Sequence, residues 1–431
     1  MVNIGIIGFG TVGTGTAKIL LENRELIRHK SGVDLNLKRI ADRDIERDRG
    51  ITLPDGVLTQ DAEDVLNDPE IDVVVELIGG INPAKEFIIE ALKKGKHVVT
   101  ANKALLATEG RDIFKTAREN DRFLGFEAAV AGGIPIIKAI RESLAPNNIL
   151  SIYGIINGTS NYILTRMTDE GIDFGDALSE AQKLGYAEAD PTFDIEGIDT
   201  AHKLTLLSSL AFGIPLSYDK IYIEGISRVT AQDIHFAREL GYKVKLLGIT
   251  KVNDGKVEMR VHPTMIPEHY LLSKIDGVLN AVYVYGDAVG ETLFYGRGAG
   301  DMPTGSAVVS DIMEIAQAIR AGTASGRGID FMESRADLEV MDIGDIESMY
   351  YFRFSAIDRP GVLSKISGIL GENNISISAV IQKGRRVGEA VPLVLLTHTA
   401  RERDVKRAIS EIDKLDIVDE KTMMIRVEGT E

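Results

Sequence analysis

The sequence predicts an α/β protein that begins with a doubly wound parallel sheet of the Rossmann type. An α+β part follows, and the chain ends in a ferredoxin-like βαββαβ domain. Three observations carry this prediction. Apolar strands alternate with helices in the first third of the chain. A glycine-rich turn joins the first strand to the first helix. After residue 348 the order strand, helix, strand occurs twice.

The first third of the chain, together with one late helix, supplies the predicted elements of the parallel sheet. In chain order they are strand 2–7, helix 11–29, strand 33–41, strand 71–80, helix 83–95, strand 97–103, strand 123–130 and helix 304–321. The run IDVVVELIGG is rich in β-branched residues, which is typical of a strand buried on both faces. Pro83 suits the first helical position, and Asn82 is the candidate cap of that helix.

Length, charge and cysteine content narrow the possible functions. The 431 residues are enough for two or three domains. The net charge of −16 argues against nucleic acid or an anionic membrane as a partner. No apolar run has the length of a membrane helix, and strand character from Val2 leaves little room for a targeting segment, so we expect a cytoplasmic protein. The absence of cysteine excludes disulfides, thiolate zinc sites and thiol nucleophiles.

The glycine-rich turn predicts a dinucleotide site. Gly8, Gly10 and Gly13 form G-x-G-x-x-G between the first strand and the first helix. In this context the first glycine makes the tight turn, the second lets the backbone approach a pyrophosphate, and the third lets the helix pack on the strand. The free N–H groups at the start of the helix then face the phosphates. A plain glycine-rich turn is the alternative.

The end of the second strand bears on the choice of dinucleotide. An acidic residue there binds the ribose hydroxyls of NAD, whereas arginine favours the 2′-phosphate of NADP. The sequence offers both, as Asp42 followed by Arg43. We expect NADP, with NAD also accepted. A solvated charged loop is the alternative interpretation.

The middle of the chain holds the candidate reaction centre. From Ile195 the pattern is helical, and Asp199 and Lys203 lie four residues apart on the same face as two leucines further along. An apolar face that becomes charged at one end is typical of a helix that runs from a core to a cleft. Three carboxylates precede it in the loop, namely Glu188, Asp190 and Asp194. A lysine among carboxylates suits a small amine-bearing substrate that needs a proton donor. An exposed ion pair of little energetic value is the alternative.

Seven segments in order resemble the homoserine dehydrogenase family. They are GFGTVGTG, VVVELIGG, TANKALLA, FEAAVAGGIPII, NGTSNYIL, GYAEADPTFDIEGIDTAHKL and GRGAGDMPTGSAVVSDI, which together run from residue 8 to about residue 315. The resemblance implies interconversion of L-homoserine and L-aspartate 4-semialdehyde with NAD(P)H. It implies that Lys203 is the proton donor, with Asp199 beside it as a catalytic residue. It also implies that Glu188 binds the substrate amine, that Asp194 lines the pocket, and that Lys103 lies near both substrate and cofactor.

The same resemblance implies a cofactor site and a cation site. The implied cofactor-binding residues are Gly8, Phe9, Gly10, Thr11, Val12, Gly13, Asp42, Arg43, Gly79, Thr100, Lys103 and Gly300. A monovalent cation, sodium in most of the family, is expected on the backbone carbonyls of Glu127, Val130, Gly132 and Ile134. Simple alcohol–aldehyde redox chemistry needs only a hydride and a proton, which agrees with the absence of cysteine.

The segment DRPGVL, which begins the first helix after residue 348, resembles the ACT domain. This implies that a small amino acid binds there, near Asp358, Gly361 and Asn374. We expect threonine as the effector. A domain that only assists assembly into a homodimer or homotetramer is the alternative.

Four regions follow from the elements and the resemblance. They are a dinucleotide-binding domain at 1–130 to which helix 304–321 returns, a substrate-binding, catalytic and dimerisation domain at 131–325, a linker at 326–348 and an ACT domain at 349–431. Two other functions stay open at this point. One is a dinucleotide-binding sensor without turnover, and the other is an NADP-linked reductase that acts on a different amino-acid derivative.

Overall fold

The computed structural model describes residues 1–324, 338–383 and 389–429. The chain forms two compact units, each built from separate segments. The first unit comprises Met1–Gly158, Asp199–Ile221 and the described part of Leu279–Leu338. The second comprises Thr159–Ile198, Tyr222–Val278 and the described part of Glu339–Glu431.

A six-stranded parallel sheet forms the centre of the first unit. Its strands are β1 Val2–Ile7, β2 Leu35–Ala41, β3 Leu58–Thr59, β4 Val73–Glu76, β5 His97–Thr100 and β6 Leu124–Gly125. They are ordered β3-β2-β1-β4-β5-β6. Helices α1 Thr11–Glu22, α2 Arg24–Ser31, α3 Glu63–Leu66, α4 Ala84–Lys93 and α5 Lys103–Glu119 connect them. The predicted Rossmann-type sheet is confirmed, and its chain reversal places the carboxyl ends of β1 and β4 side by side.

Two predicted elements of this sheet and one predicted helix cap are wrong in detail. The helix predicted at 11–29 is two helices that meet at Asn23, where the backbone leaves the helical region. The strand predicted at 123–130 is reduced to β6, because the chain turns into a 3₁₀ turn at Glu127–Ala129. Asn82 does not cap α4, since the residue before the helix is Pro83 and no side chain accepts from its first turn.

The helix predicted at 304–321 is α12, Asp301–Ala321, and it packs against α1. The two helices approach so closely that a Cβ on Gly15 would lie 2.2 Å from the carbonyl oxygen of Asp301. Val308 and Ile312 of α12 belong to the same apolar core as Ile4 of β1. This late segment of the chain therefore closes one side of the parallel sheet.

The remaining elements of the first unit lie outside the parallel sheet. They are α6 Ile136–Lys138, β7 Ile149–Ile155, helix α10 Ile198–Phe212, β11 Leu279–Gly286 and β12 Gly290–Arg297. Strand β11 pairs antiparallel with β7 on one side and with β12 on the other. Helix α10 is buried along most of its length, so it belongs to a core and is not a surface helix.

The second unit contains a mixed sheet and the helices packed on it. Its helices are α7 Gly158–Glu170, α8 Phe174–Lys183, α9 Thr192–Ile195, α11 Ala231–Glu239, α13 Val362–Glu372 and α14 Glu402–Ile412. Its strands are β8 Tyr222–Ile223, β9 Tyr242–Asn253, β10 Lys256–Pro267, β13 Glu347–Ile357, β14 Ile377–Gln382, β15 Ala390–Thr397, β16 Ala400–Arg401 and β17 Met423–Val427. The order β17-β13-β15-β14 with α13 and α14 confirms the ferredoxin-like βαββαβ prediction.

This C-terminal part shares its sheet with the preceding segment of the second unit. Strand β17 pairs in parallel with β10, with Thr264 opposite Arg426. Buried ion pairs cross the same boundary, where Arg353 binds Asp233 and Arg260 binds Glu428. The described residues of 222–278 and 339–429 therefore contribute strands to one sheet, and the predicted domain boundaries stay a prediction. Residues 326–337 of the predicted linker lie outside the described residues.

No helix in the described ranges 1–324, 338–383 and 389–429 combines the length and apolar character that a membrane span requires.

Protonation of His97 is expected to destabilise the first unit in acid. The ring is buried at the start of β5, and its Nδ1 accepts the backbone N–H of Phe123 at 3.0 Å. Burial, assisted by the charge of Arg122, lowers the pKa of His97 to about 4. Between this value and the ordinary pKa near 6.5, the unfolded chain binds a proton that the folded chain does not. Stability therefore falls as the pH decreases through this window, by up to about 3 kcal/mol.

Urea unfolding between pH 7.5 and pH ~4.5 measures this effect. The variant His97→Gln is expected to be less stable at neutral pH but to lose less stability on acidification. Equal acid dependence of the two proteins would contradict this account of His97.

Candidate active site

The turn between β1 and α1 has the geometry of a dinucleotide-binding loop. Gly8 has φ of +105°, and a Cβ there would lie 2.6 Å from the carbonyl carbon of Leu77 on the neighbouring strand end. A Cβ on Gly13 would lie 2.2 Å from the carbonyl oxygen of Gly8, whereas a Cβ on Gly10 would meet no atom within 4 Å. Gly10 is exposed, and no side chain caps α1. The backbone between Gly8 and Gly13 is therefore open to a phosphate at its second glycine.

Asp42 and Arg43, at the end of β2, have very different environments. The carboxylate of Asp42 accepts the N–H of Phe9 at 2.6 Å and binds the guanidinium of Arg49 at 3.2 Å. Arg49 also lies over the ring of Phe9, 4.7 Å from its centroid. Arg43 is exposed. Sequence reasoning missed Arg49, because nothing in the run DRDIERDRG indicates which of its arginines returns to the aspartate.

The carboxyl ends of β4 and β5 carry three further residues that the resemblance assigned to the cofactor site. Gly79 follows β4 with φ of +73°. Thr100 ends β5 and donates its hydroxyl proton to the buried carboxyl of Glu76 at 2.6 Å. Lys103 is the first residue of α5, directly beyond the end of β5. The edge where a doubly wound sheet binds its ligand therefore carries Gly79, Thr100 and Lys103 together.

A buried carboxylate between two lysines forms the centre of the candidate active site. The Nζ atom of Lys203 lies 2.6 Å from Oδ2 of Asp199 and donates to the carbonyl oxygen of Ile156, also at 2.6 Å. The side-chain amide of Asn157 donates to the same Oδ2 at 2.9 Å. Oδ1 of Asp199 lies 3.0 Å from Nζ of Lys103. All five residues belong to the first unit.

The electrostatics of this group favour an ionised aspartate. Burial by itself would raise the pKa of Asp199, but the charges of Lys203 and Lys103, with hydrogen bonds from Lys203 and Asn157, hold this pKa below its usual range. The exposed fraction of the side chain is 5% for Asp199 and 9% for Lys203. The exposed ion pair that the sequence left open as an alternative is therefore wrong. The geometry fixes an ammonium group that can give a proton to a ligand oxygen.

Glu188, Asp190 and Asp194 belong to the second unit. Glu188 is exposed, and Asp190 uses its carboxylate locally to accept the N–H and the hydroxyl of Thr192. The carbonyl of Asp194 accepts the hydroxyl of Ser160 at 2.9 Å. Roles of Glu188 and Asp194 in substrate binding stay a prediction, whereas the contacts of Asp190 are those of a turn residue.

The segment expected to bind a cation has an unusual backbone. Ala131 and Gly132 have consecutive positive φ angles of 55° and 56°. The carboxylate of Glu127 is used internally, because it accepts the N–H groups of Ile137 and Lys138. Burial, with the nearby charge of Asp311, raises the pKa of Glu127 to about 7.

Over the described ranges, His, Cys, Asp and Glu side chains form no cluster of three that could hold a metal. Gly300, with φ of +120°, directly precedes α12.

The residues expected to bind an effector separate into two places. Asp358 and Gly361 line a cavity of about 300 Å³ before α13, together with Arg359 and Gln382. Asn374 follows the other end of α13, about 16 Å away along the helix axis, and does not line this cavity. The structure therefore brings together two of the three residues.

A glycine turn on a parallel sheet, with a buried lysine–aspartate pair in the same unit, defines a nicotinamide-dependent oxidoreductase. Family models agree over most of the chain. They are homoserine dehydrogenase, NAD binding domain, at residues 8–127, homoserine dehydrogenase at 135–313 and ACT domain at 350–416. The homoserine dehydrogenase of Neisseria gonorrhoeae is 49% identical over 430 residues, which cover 99% of each chain. The chain thus belongs to the homoserine dehydrogenase family, whose members act on a CH–OH group.

Solved structures agree with this assignment. A homoserine dehydrogenase from Thiobacillus denitrificans superposes with a TM-score of 0.94 at 49% identity, covering 99% of this chain and 98% of that chain. A hyperthermophilic archaeal homoserine dehydrogenase in complex with NADPH has a TM-score of 0.61 at 31% identity. The match covers 73% of this chain and 97% of the archaeal one.

Replacement of Lys203 tests the candidate active site. If Lys203 gives the proton, Lys203→Met should lower kcat by about 10² to 10⁴, which is the usual cost of losing a general acid. Binding of NADPH should remain within about threefold of the wild type, since the glycine turn is untouched. Stopped-flow rates and fluorescence titration measure the two quantities.

Lys220→Met is the matched control, since Lys220 is exposed in the same segment of the first unit. A Lys203 variant that keeps more than about a tenth of the wild-type kcat would remove Lys203 from the chemistry.

Proposed function

We propose that the enzyme interconverts L-homoserine and L-aspartate 4-semialdehyde, and that Lys203 is its proton donor. The single observation that carries this proposal is the buried contact of Lys203 with Asp199 and the carbonyl of Ile156. Family membership supports the substrate pair, and the site supplies the one group that the reaction needs from the protein.

In the reducing direction, the nicotinamide cofactor supplies a hydride to the aldehyde carbon when it is bound. The C=O bond becomes a C–O bond, and the oxygen takes a proton from the ammonium of Lys203. Asp199 and Ile156 hold that ammonium in a fixed direction, which lowers the entropy cost of the transfer. The neutral lysine is then reprotonated from solvent. Alcohol oxidation runs the same steps backwards.

The amine of the substrate requires an acidic partner. We assign this role to Glu188, with Asp194 beside it, on the resemblance of the segment GYAEADPTFDIEGIDTAHKL to the family. The exposure of the Glu188 side chain agrees with a carboxylate that is free to take an ammonium group. Lys103 has the charge to attract the substrate carboxylate, and its contact with Asp199 keeps it next to Lys203.

The cofactor is NADP in preference to NAD. The carboxylate of Asp42, which would bind the ribose 2′-hydroxyl of NAD, is engaged by the N–H of Phe9 and neutralised by Arg49. Arg49 and the exposed Arg43 carry positive charge next to this position, which favours a 2′-phosphate. The relative in complex with NADPH supports the same preference.

A monovalent cation, sodium first, is the proposed occupant of the turn after β6. The carbonyls of Glu127, Val130, Gly132 and Ile134 are its proposed ligands. The two consecutive positive φ angles at Ala131 and Gly132 support this assignment, because an αL backbone redirects successive carbonyl groups. Such a cation would stabilise the chain between the parallel sheet and α6.

An assay with L-homoserine tests the proposed substrate and cofactor together. The purified protein should reduce NADP with L-homoserine, and less efficiently NAD. Arg49→Ala should raise KM for NADP by roughly tenfold and leave KM for NAD within about twofold, because only NADP carries the 2′-phosphate.

Arg43→Ala compares the second arginine under the same conditions. Absence of homoserine-dependent NADP reduction in the wild type would overturn the substrate assignment. An unchanged ratio of the two KM values in both variants would place the specificity residues elsewhere.

We also propose that threonine binds the C-terminal domain and lowers activity. The cavity beside Asp358 and Gly361 lies at the start of α13, where free N–H groups suit a carboxylate. Strand β13 ends at this cavity and also carries Arg353, which binds Asp233 of α11. Strand β13 therefore connects the cavity to the preceding segment of the second unit through Arg353. Threonine would regulate activity if its affinity for the protein differed between two conformational states.

Titration with threonine, with isoleucine and methionine as controls, tests this regulation. Wild-type activity should fall, and Asp358→Asn should weaken the apparent threonine affinity by roughly 5- to 150-fold. Glu347→Gln, which changes an exposed carboxylate at the opposite end of β13 from the cavity, should respond like the wild type.

A point variant is preferable to truncation here. Truncation would leave Arg260 and Asp233 without their buried partners. Equal responses of the two variants would move the effector site away from Asp358. No response in any protein would leave the domain a role in assembly alone.

A further inference from the structure

A buried carboxyl group that the reaction scheme does not use lies at the ligand-binding edge of the parallel sheet. Glu76 is the last residue of β4 and is fully buried. It stands in register between Ile7 of β1 and Thr100 of β5, so it occupies the point where three strands end. Burial raises the pKa of Glu76, and its hydrogen bonds act in the opposite direction.

Two backbone N–H groups and one hydroxyl donate hydrogen bonds to the carboxyl group of Glu76. Its Oε1 accepts the N–H of Ile78 at 2.9 Å and the N–H of Gly79 at 3.1 Å. Its Oε2 accepts the hydroxyl of Thr100 at 2.6 Å. The hydroxyl oxygen of Thr100 in turn accepts the N–H of Asn102 at 3.0 Å, which directs its own proton towards Glu76. The site therefore suits a group with two acceptor oxygens.

Asn102 extends this network to the candidate active site. Its side-chain amide donates to the carbonyl of Gly80 at 2.7 Å, and its Oδ1 accepts the N–H of Leu105 at 3.1 Å as the cap of α5. Lys103, the next residue, reaches Asp199 at 3.0 Å. One set of hydrogen bonds thus fixes both the loop after β4 and the first turn of α5.

We propose that Glu76 is a positioning residue for hydride transfer. Its hydrogen bonds hold the loop 77–82 and the start of α5 in one arrangement, so that the bound cofactor and Lys103 keep a fixed geometry. This inference rests on the proposed function for the role of Lys103. It does not require Glu76 to touch cofactor or substrate. Gly79 and Gly80 have φ angles of +73° each, so without the carboxylate the loop would have many accessible conformations.

Glutamine at position 76 would preserve shape but not acceptor number. Its amide nitrogen would face either Thr100 or the N–H groups of Ile78 and Gly79, and all of these are donors in the wild type. The loop would lose at least one hydrogen bond to a carboxyl oxygen. A merely structural carboxyl group would instead change the melting temperature while leaving the kinetics of the folded enzyme unaltered.

The experiment compares Glu76→Gln with Thr100→Val and Thr100→Ser in the full-length protein. Glu86→Gln is the matched control, because Glu86 is an exposed glutamate on the next helix, α4. The measured quantities are Kd for NADPH by fluorescence titration, kcat, KM for L-homoserine and melting temperature. We expect Glu76→Gln and Thr100→Val each to weaken NADPH binding by about tenfold and to lower kcat.

Four further results are expected if Glu76 acts by positioning. Thr100→Ser keeps the hydroxyl and should bind NADPH more tightly than Thr100→Val, and Glu86→Gln should change nothing. The double variant Glu76→Gln/Thr100→Val should be no worse than the poorer single variant, since both remove the same contact. KM for L-homoserine should rise in Glu76→Gln and Thr100→Val as well, because the start of α5 carries Lys103, to which we assign the substrate carboxylate.

The inference is overturned if folded Glu76→Gln keeps both Kd for NADPH and kcat within about twofold of the wild type. If this variant does not fold, Thr100→Val carries the test, because it removes the contact and leaves Glu76 in place. Failure of the proposed function would give a different result from failure of this inference. A wild type that binds NADPH but does not oxidise L-homoserine would overturn the substrate, while weaker NADPH binding by Glu76→Gln would still support positioning.

Discussion

The candidate chemistry of this enzyme depends on one buried carboxylate. Asp199 binds Lys203 through one oxygen and Lys103 through the other. These lysines come from distant parts of the chain, one within α10 and one at the start of α5. Two ammonium groups near one small ligand would repel each other, and the carboxylate between them offsets that repulsion. Removal of Asp199 would therefore disturb the position of both lysines.

The parallel sheet places the parts of this centre. Its strands β1, β4 and β5 end side by side, so the glycine turn, the loop after β4 and the start of α5 share one edge. Backbone approaches at this edge are close, as the 2.2 Å distance from a Cβ on Gly13 to the carbonyl of Gly8 shows. Gly13 packs tightly against Gly8, whereas the backbone at Gly10 stays open, because the two glycines face different sides of the turn. The sheet thus provides both a fixed frame and an accessible backbone.

The second unit shows how a regulatory domain can be joined to its enzyme. The βαββαβ part has its own apolar core, yet its strand β17 continues the sheet through β10. Arg426 is fully buried and binds Glu402 of the domain and Glu224 of the preceding segment. Breaking such pairs leaves uncompensated charges in a core, which costs several kcal/mol. The C-terminal part is therefore recognisable as a fold but is not physically independent.

The sequence by itself determined the order of the elements and the residue types of the site. Periodicity and glycine spacing were sufficient for the parallel sheet and the C-terminal βαββαβ order, because these signals are local along the chain. The i,i+4 spacing of Asp199 and Lys203 likewise predicted their contact. Local signals failed where a distant group decides the backbone, as at the 3₁₀ turn beginning with Glu127, whose N–H is bound by Asp311.

Only the tertiary structure decided three contacts of the site. Arg49 neutralises Asp42, and Lys103 shares Asp199 with Lys203. Glu76 accepts a hydrogen bond from the hydroxyl of Thr100. Each of these contacts joins chain segments that no periodicity relates. Their partners are selected by burial, since a buried charge or polar group must find a complementary group wherever the fold brings one.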